Sequence, residues 1–327
     1  MKIAFVGKGG SGKSTLTSLF IRHLQRKSTV NILAMDADVN MNLAGLLGVR
    51  MPESSFISSP QASEAIRSHL KGTNSRIEDL SKFLPTTPPG AGSNLICAAD
   101  DPALMPYAVK VSEKPSINLL TVGTYEAEGI GQSCYHVNLF VAENVLSHTK
   151  TGEDFYVVCD MVAGTDAFAY SLHLQFDSIN LIAEPTPESV EVCKLYLDLA
   201  RESGVDSLVH LIANKVEDEN DVHFIASALG KKPVAVVPVL PVLKRARQLG
   251  QIVTDELLSK ELLSAMEAIE HKAVRPALSA NTRLKMLHNL HRKLNTKQWV
   301  KLSYGDVQEQ IDPEFHIHAE EGSLVCQ

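Results

Sequence analysis

Short aliphatic and β-branched runs at 2–6, 30–35, 117–122, 155–159, 178–183, 207–213 and 233–237 alternate with longer stretches of mixed polarity. Several runs are apolar on both faces, the pattern of strands covered by two layers. The stretches at 13–27, 137–147, 187–202, 220–229 and 255–271 read as helices. This alternation predicts an α/β fold: a doubly wound, mainly parallel sheet with helices on both faces and ligands at the carboxyl ends of its strands. The rhythm breaks at 51–115, rich in Ser, Pro and Gly, where a surface insertion holding one short helix near 62–70 is expected. It stops at about 271, so a domain at 1–271 and an extension at 272–327, basic and helical and then acidic, are expected.

Composition refines this picture. Hydrophobic content of 44% with only 6% aromatics suits an aliphatic α/β core. A net charge of −7 excludes a general nucleic-acid binder. The first strand follows Met1 directly and no run of about eighteen apolar residues exists, so neither a signal peptide nor a membrane span is expected. The 5 cysteines are scattered and odd in number, which argues against a disulfide framework and for a reducing, cytoplasmic location.

The candidate chemistry begins with Gly7-Lys8-Gly9-Gly10-Ser11-Gly12-Lys13-Ser14-Thr15, placed between a strand and a helix. Glycines allow successive N–H groups of Gly9, Gly10, Ser11 and Gly12 to turn inward around a polyphosphate, and the helix N-terminus at Lys13–Thr15 adds its positive end. Lys13 is expected against the β- and γ-phosphates and the Ser14 hydroxyl on Mg²⁺. The fold class is therefore that of a P-loop NTPase, with a nucleoside triphosphate and Mg²⁺ as cofactors.

Two more strands end in carboxylates. Asp36-Ala37-Asp38 places Asp36 to hold Mg²⁺ and Asp38 to orient the attacking water; Asp38 also reads as a helix N-cap for 40–47. Asp160, before Met161-Val162-Ala163-Gly164, is expected to bind Mg²⁺ through water, and the Gly164 N–H to sense the γ-phosphate. Asn214-Lys215-Val216-Glu217 ends the strand at 207–213 and Pro238 ends the next, which places Asn214, Lys215 and Pro238 beside the base. Glu217 is one methylene too long for the bidentate contact of a guanine reader, which favours ATP over GTP.

Lys8, Gly9, Gly10, Gly12, Lys13 and Ser14 together resemble the deviant Walker A loop of the MinD/ParA/nitrogenase-iron-protein class. The resemblance implies that Lys8 acts on the nucleotide held by a partner subunit, within a homodimer that closes on two nucleotides. It also implies that Asp38 is the aspartate required for hydrolysis and that Asn214 contacts adenine. The segments 117–124 and 129–136, with Asp160–Gly164 and Glu184-Pro185-Thr186-Pro187, are similar to the CooC-like branch, ATPases that help insert nickel into carbon monoxide dehydrogenase. That branch has Cys-x-Cys where this chain has Cys134 and His136. Two chains would offer Cys₂His₂, a set suited to Zn²⁺ or Ni²⁺; the plainer alternative is a thiol and a polar neighbour at a helix start.

The resemblance thus implies an ATP-hydrolysing dimer switch serving a metalloenzyme client. A ParA/MinD-like positioning ATPase, attached to DNA or membrane through its basic end, is the alternative. Between 271 and 305 there is no Asp or Glu, while Lys272, Arg275, Arg283, Lys285, Arg292, Lys293, Lys297 and Lys301 are basic. Leu284, Leu287, Leu290 and Leu294 recur within it at helical spacing. Docking of this stripe on the chain's own domain is the favoured reading, with lipid or DNA contact as the others. His316, His318 and Cys326 offer metal-binding side chains, but the favoured reading puts them in a mobile terminus.

Overall fold

The computed structural model describes residues 1–27, 30–124, 135–249, 252, 259–274 and 276–317, with backbone alone at 135, 136 and 247. The strands are β1 (Lys2–Gly7), β2 (Asn31–Asp36), β3 (Val109–Ser112), β4 (Ile117–Thr121), β5 (Phe155–Asp160), β6 (Ser178–Ala183), β7 (Val209–Val216) and β8 (Ala235–Pro238). They form one sheet in the order β3-β4-β2-β5-β1-β6-β7-β8. Every pairing is parallel except that of the edge strand β3 on β4.

The helices are α1 (Lys13–Lys27), α2 (Leu43–Leu47), α3 (Pro60–Lys71), α4 (Tyr135–Ser147), α5 (Pro187–Glu202), α6 (Glu219–Leu229), α7 (Pro241–Gln248), α8 (Lys260–Ala273), α9 (Ala280–Asn295) and α10 (Gln298–Tyr304). Side chains alternate across a strand, so β1 feeds two cores. Ile3 and Phe5 pack with Leu16 and Phe20 of α1 and Met266 and Ile269 of α8. Ala4 and Val6 join Val145 of α4, Tyr196 of α5 and Leu287 of α9 on the other face. Each fully buried side chain of this size contributes roughly 1.5–3 kcal/mol, and both faces supply many. The doubly wound, mainly parallel expectation is met. Among the described residues no helix is long and apolar enough to cross a membrane.

The segment 51–115 differs from a surface elaboration. Its expected helix is α3, started by Ser59, whose side chain accepts from Ala62 N, with Pro60 at the first position. Ile57, Ile66, Leu70, Ile77 and Phe83 are at most 1% exposed and belong to the core shared with β4 and β5. The segment also supplies β3. Cys159 and Cys193 are buried free thiols.

In α9, Leu284 and Leu287 are buried and Leu290 packs against the same core, so the leucine stripe faces the chain itself. Leu294 packs with Leu84, Val300 and Val307. Arg283 departs from the basic face expected of it: it is 4% exposed, ion-paired with Asp177, and donates to Leu278 O at 2.8 Å. The other Asp177 oxygen accepts from Lys2 N at 2.6 Å, which ties α9 to the start of β1. Burial opposes the charge on Asp177, but the Arg283 guanidinium and Lys2 ammonium outweigh it and hold its carboxyl below the ordinary range. A carboxyl lowered in this way stabilises the fold above the unfolded carboxylate range, and the contribution is lost as pH falls through the folded value. Arg283→Ala strands a buried carboxylate and is expected to cost about 3–5 kcal/mol in urea unfolding at neutral pH, less as the buffer is acidified. A loss too small to resolve would contradict this. His316 is described and exposed, while His318 and Cys326 lie outside the described residues.

Candidate functional site

β1 lies between β5 and β6 at the centre of the sheet, so the loop after Gly7 leaves the carboxyl edge where parallel sheets bind ligands. Two glycines are required by close approach. Gly7 has φ 147° and a Cβ there would lie 2.6 Å from Ile182 O; Gly12 has φ 97° and its Cβ would lie 2.4 Å from Asn214 Nδ2. Ser11 N donates to Lys8 O at 3.1 Å and Leu16 N to Gly12 O at 2.9 Å, joining the turn to α1. Gly9 and Gly10 are exposed at its crest, and Ser14 and Thr15 are half-buried at the helix start.

Asn214 and Lys215 hold this loop from the side. Asn214 Nδ2 donates to Ser11 O at 2.7 Å. Lys215 has φ 59°, sends its ammonium to Gly10 O at 2.8 Å and ion-pairs with Glu184 at the end of β6. A cavity of about 690 Å³ opens here, lined by Gly10, Gly12, Thr15, Asn214, Lys215 and Pro238, with Leu16, Val237, Val239 and Leu243 as apolar walls. Its size and composition suit a planar heterocycle. Glu217 is exposed and does not line it.

Glu184 is a residue that sequence reasoning missed. Its place directly after β6 was readable, but its pairing with a lysine on another strand was not. Because Glu184 steadies the Lys215 stem over the cavity, Glu184→Gln is expected to raise KM for the nucleotide about tenfold and leave kcat within about twofold, as loss of a uniform binding contact does. Equal KM in the variant, from steady-state phosphate release, would remove this role.

The carboxylates converge on the loop through strand register. Asp36 and Asp160 are paired positions on β2 and β5, and Asp160 pairs with Phe5 on β1. Both carboxylates are 0% exposed. Asp36 accepts from Asp38 N at 3.2 Å and Leu43 N at 2.9 Å. Neither Asp160 oxygen has a hydrogen-bond partner of acceptable geometry; the neighbouring Ser14 hydroxyl only partly offsets its burial. Burial, and then repulsion by nearby carboxylates, raises both pKa values well above the ordinary range; for Asp160 the nearby carboxylate is chiefly Asp36. The unpartnered Asp160 oxygens, beside the Ser14 hydroxyl and the repelling Asp36 carboxylate, are a hard oxygen donor set, which fits Mg²⁺.

Lys13 is 5% exposed, with its ammonium 3.7 Å from Asp38 Oδ2 and 3.5 Å from Lys8 O. Asp38 Oδ1 accepts from Asn40 N at 3.0 Å and Asn40 Nδ2 at 2.8 Å. The helix-cap reading of Asp38 fails: α2 begins at Leu43, its N-cap is Asn42, and the first helical N–H goes to Asp36. Lys8 is half-exposed and its side chain has no partner among the described residues. Gly164 N donates to Gly7 O at 3.0 Å, so in this structure it braces the loop. The structure thus brings Lys13, Ser14, Asp36, Asp38 and Asp160 together, with Asn214, Lys215 and Pro238 around the adjoining cavity. Cys134 and the side chain of His136 lie outside the described residues.

A glycine loop between a central strand and a helix, a buried ammonium, and a carboxylate pair on the neighbouring strand ends define a P-loop nucleotide-binding protein. The chain belongs to the CobQ/CobB/MinD/ParA nucleotide binding domain family, whose match spans residues 3–259. It is 29% identical over 230 residues to the carbon monoxide dehydrogenase accessory protein CooC of Rhodospirillum rubrum, covering 69% of this chain and 78% of that protein. It is 28% identical over 258 residues to an ATP-binding protein of Methanocaldococcus jannaschii, covering 79% of this chain and 95% of that one. Among solved structures, a ParA family ATPase from Chlorobium tepidum superposes with a TM-score of 0.55 at 16% identity, covering 83% of this chain and 98% of that one. MinD from Aquifex aeolicus gives 0.52 at 16%, covering 84% and 97%. These last two share the fold.

Proposed function

We propose that the chain is a Mg·ATP-hydrolysing switch that closes as a homodimer and serves the maturation of a metalloenzyme. The observation that carries the reading is the Lys13–Asp38 contact of 3.7 Å beside the buried Asp36–Asp160 pair. It supports the reading because hydrolysis requires a phosphate-binding cation, a water-orienting carboxylate and a metal-holding pair close together. Mg²⁺, when bound, would neutralise the β- and γ-phosphate oxygens, with Ser14, Asp36 and Asp160 as the residues to hold it. Lys13 withdraws charge from the same oxygens. Asp38, its orientation fixed by Asn40, lines up the attacking water. Lys8 projects from the loop for a nucleotide held by the partner subunit, where such a cation is worth roughly 10³–10⁵ in rate.

The base cavity supports ATP over GTP, since Glu217 does not line it. The metalloenzyme role is carried by similarity to CooC, with Cys134 and His136 as the ligands each subunit would offer Zn²⁺ or Ni²⁺ as cargo. Attachment to lipid through α9 is disfavoured, because Leu284 and Leu287 of its stripe are buried in the chain's own core.

The test is phosphate release from Mg·ATP and Mg·GTP, run alongside sedimentation of the wild type and Lys8→Ala. Expected are preference for ATP, an ATP-dependent dimer, and loss of turnover with retained binding in Lys8→Ala. Undiminished turnover in that variant, or turnover by a monomer, would rule out the dimer switch. Bound Zn²⁺ or Ni²⁺ that persists undiminished in Cys134→Ser would remove the metal role from that residue.

A further inference from the structure

Lys293 and Lys297, at the end of α9 and just beyond it, serve neither the core nor the nucleotide site, and they border a second cavity of about 650 Å³. Apolar atoms of Phe168, Leu174, Leu199, Met286, Leu290 and Leu294 line this groove between α9, the end of α5 and the segment 168–174. Lys293 and Lys297 line it from α9 and its continuation, both exposed and neither ion-paired among the described residues. Glu202 is the one carboxylate among the lining residues. Beyond Lys297, α10 exposes Trp299 by 42% and Leu302 by 79%, and the Trp299 ring lies 6.4 Å from that of Tyr170 on the groove wall.

We infer that this groove receives an acidic amphipathic helix from a partner protein. Apolar anchors recurring along one face of a helix match a concave apolar floor, and lysines on the rim match carboxylates flanking those anchors. The stretch from 271 to 305 carries no Asp or Glu, so the surroundings reinforce this polarity in a chain whose net charge is −7. A lipid surface is flat and would leave the concave floor unfilled. A nucleic-acid backbone would gain nothing from that floor and would meet Glu202.

The groove wall also connects to the loop. Residues 168–174 follow the turn at 161–164, where Gly164 N bonds Gly7 O at 3.0 Å, and Ser171 N donates to the buried Glu143 at 2.6 Å. A wall fixed at one end by the phosphate loop lets nucleotide state alter the groove, a coupling that rests on the ATPase reading above.

The test uses a pool of labelled helical peptides with leucine or phenylalanine at i, i+4 and i+7 and glutamate elsewhere, beside a pool with lysine for glutamate. Fluorescence polarisation on the full chain is expected to show saturable binding of the acidic pool only. Lys293→Glu with Lys297→Glu is expected to weaken it at least about tenfold, and Leu290→Asp to abolish it. Thermal melts check that these variants remain folded; both lysines are exposed, so the charge reversal keeps the test valid even if Leu290→Asp unfolds. No saturation by the acidic pool, equal binding of the lysine pool, or affinity unmoved by the charge reversal overturns the docking site. Binding of anionic vesicles or duplex DNA that is lost in the same variants, in place of peptide, overturns it too. Acidic-pool affinity is expected to differ at least about fivefold between the nucleotide-free and Mg·ATP-loaded chain. Equal affinities overturn the coupling, provided calorimetry shows ATP bound; absence of ATP heat counts against the ATPase reading instead.

Discussion

Asp38→Ala is expected to lower the turnover number about 10²–10⁴-fold while Mg·ATP still binds, because the residue positions water and does not hold the phosphates. The carboxylate is well placed for this. One oxygen is fixed by two hydrogen bonds from Asn40, at 3.0 and 2.8 Å, and the other faces the Lys13 ammonium at 3.7 Å. Removing it should not unfold the neighbourhood, since the start of α2 depends on Asp36 and Asn42. Melting temperature close to wild type separates lost chemistry from lost structure. Asn40→Ala, which frees the carboxylate to rotate, is expected to give a smaller loss of the same kind. Single-turnover phosphate release with calorimetric titration reads both quantities, and wild-type turnover in Asp38→Ala would show that another group orients the water.

Much of this site was legible because parallel sheets put chemistry at strand ends. Once Gly7, Asp36 and Asp160 are recognised as ends of apolar runs, their meeting follows from adjacency of β1, β5 and β2. Which of Asp36 and Asp38 receives the first N–H of α2 was not legible. It depends on Met41 turning to φ 47°, which delays the helix to Leu43 and gives its first N–H to Asp36. Lys215 is a similar case. Sequence placed it beside the base, but its hold on Gly10 and its pairing with Glu184 arise from contacts across β6 and β7.

Periodicity failed where short elements borrow stability from the whole. β3 is only four residues, Val-Lys-Val-Ser, half-exposed on a sheet edge, and its polarity reads equally well as a loop. The segment 51–115 looks loop-like because Pro and Gly punctuate it, yet its widely spaced Ile57, Ile66, Leu70 and Phe83 are core residues. Arg283 misled for the opposite reason. Residue type predicts solvent, and only the buried Asp177 across the fold explains its position. The same holds for the groove wall at 168–174, whose partner helix α9 lies more than a hundred residues away in sequence.

Asp160→Asn is expected to stabilise the Mg²⁺-free, nucleotide-free chain and to abolish its stabilisation by Mg·ATP. The physical reason is the register that pairs Asp36 with Asp160, both 0% exposed, with neither Asp160 oxygen bonded. Taking two carboxylates out of water side by side is costly unless a cation compensates, so the metal-free site opposes folding. Their folded pKa values are raised by burial and by nearby carboxylate charge, so the folded chain keeps protons that the unfolded chain has released. The cost of this pair to metal-free stability should therefore be absent below the ordinary carboxylate range and should grow as pH climbs from that range through the raised values. The amide has no charge to desolvate. At about pH 8 it should gain on the order of 1–3 kcal/mol over wild type, with a shallower pH dependence. Adding Mg·ATP reverses the ranking, because wild type then gains binding energy that the variant has lost. Thermal melts of both chains across about pH 5 to 8, with and without Mg·ATP, measure each half. A metal-free variant that melts below wild type at the alkaline end, or that still rises with Mg·ATP as wild type does, would mean that Asp160 is not the electrostatic cost built into this site.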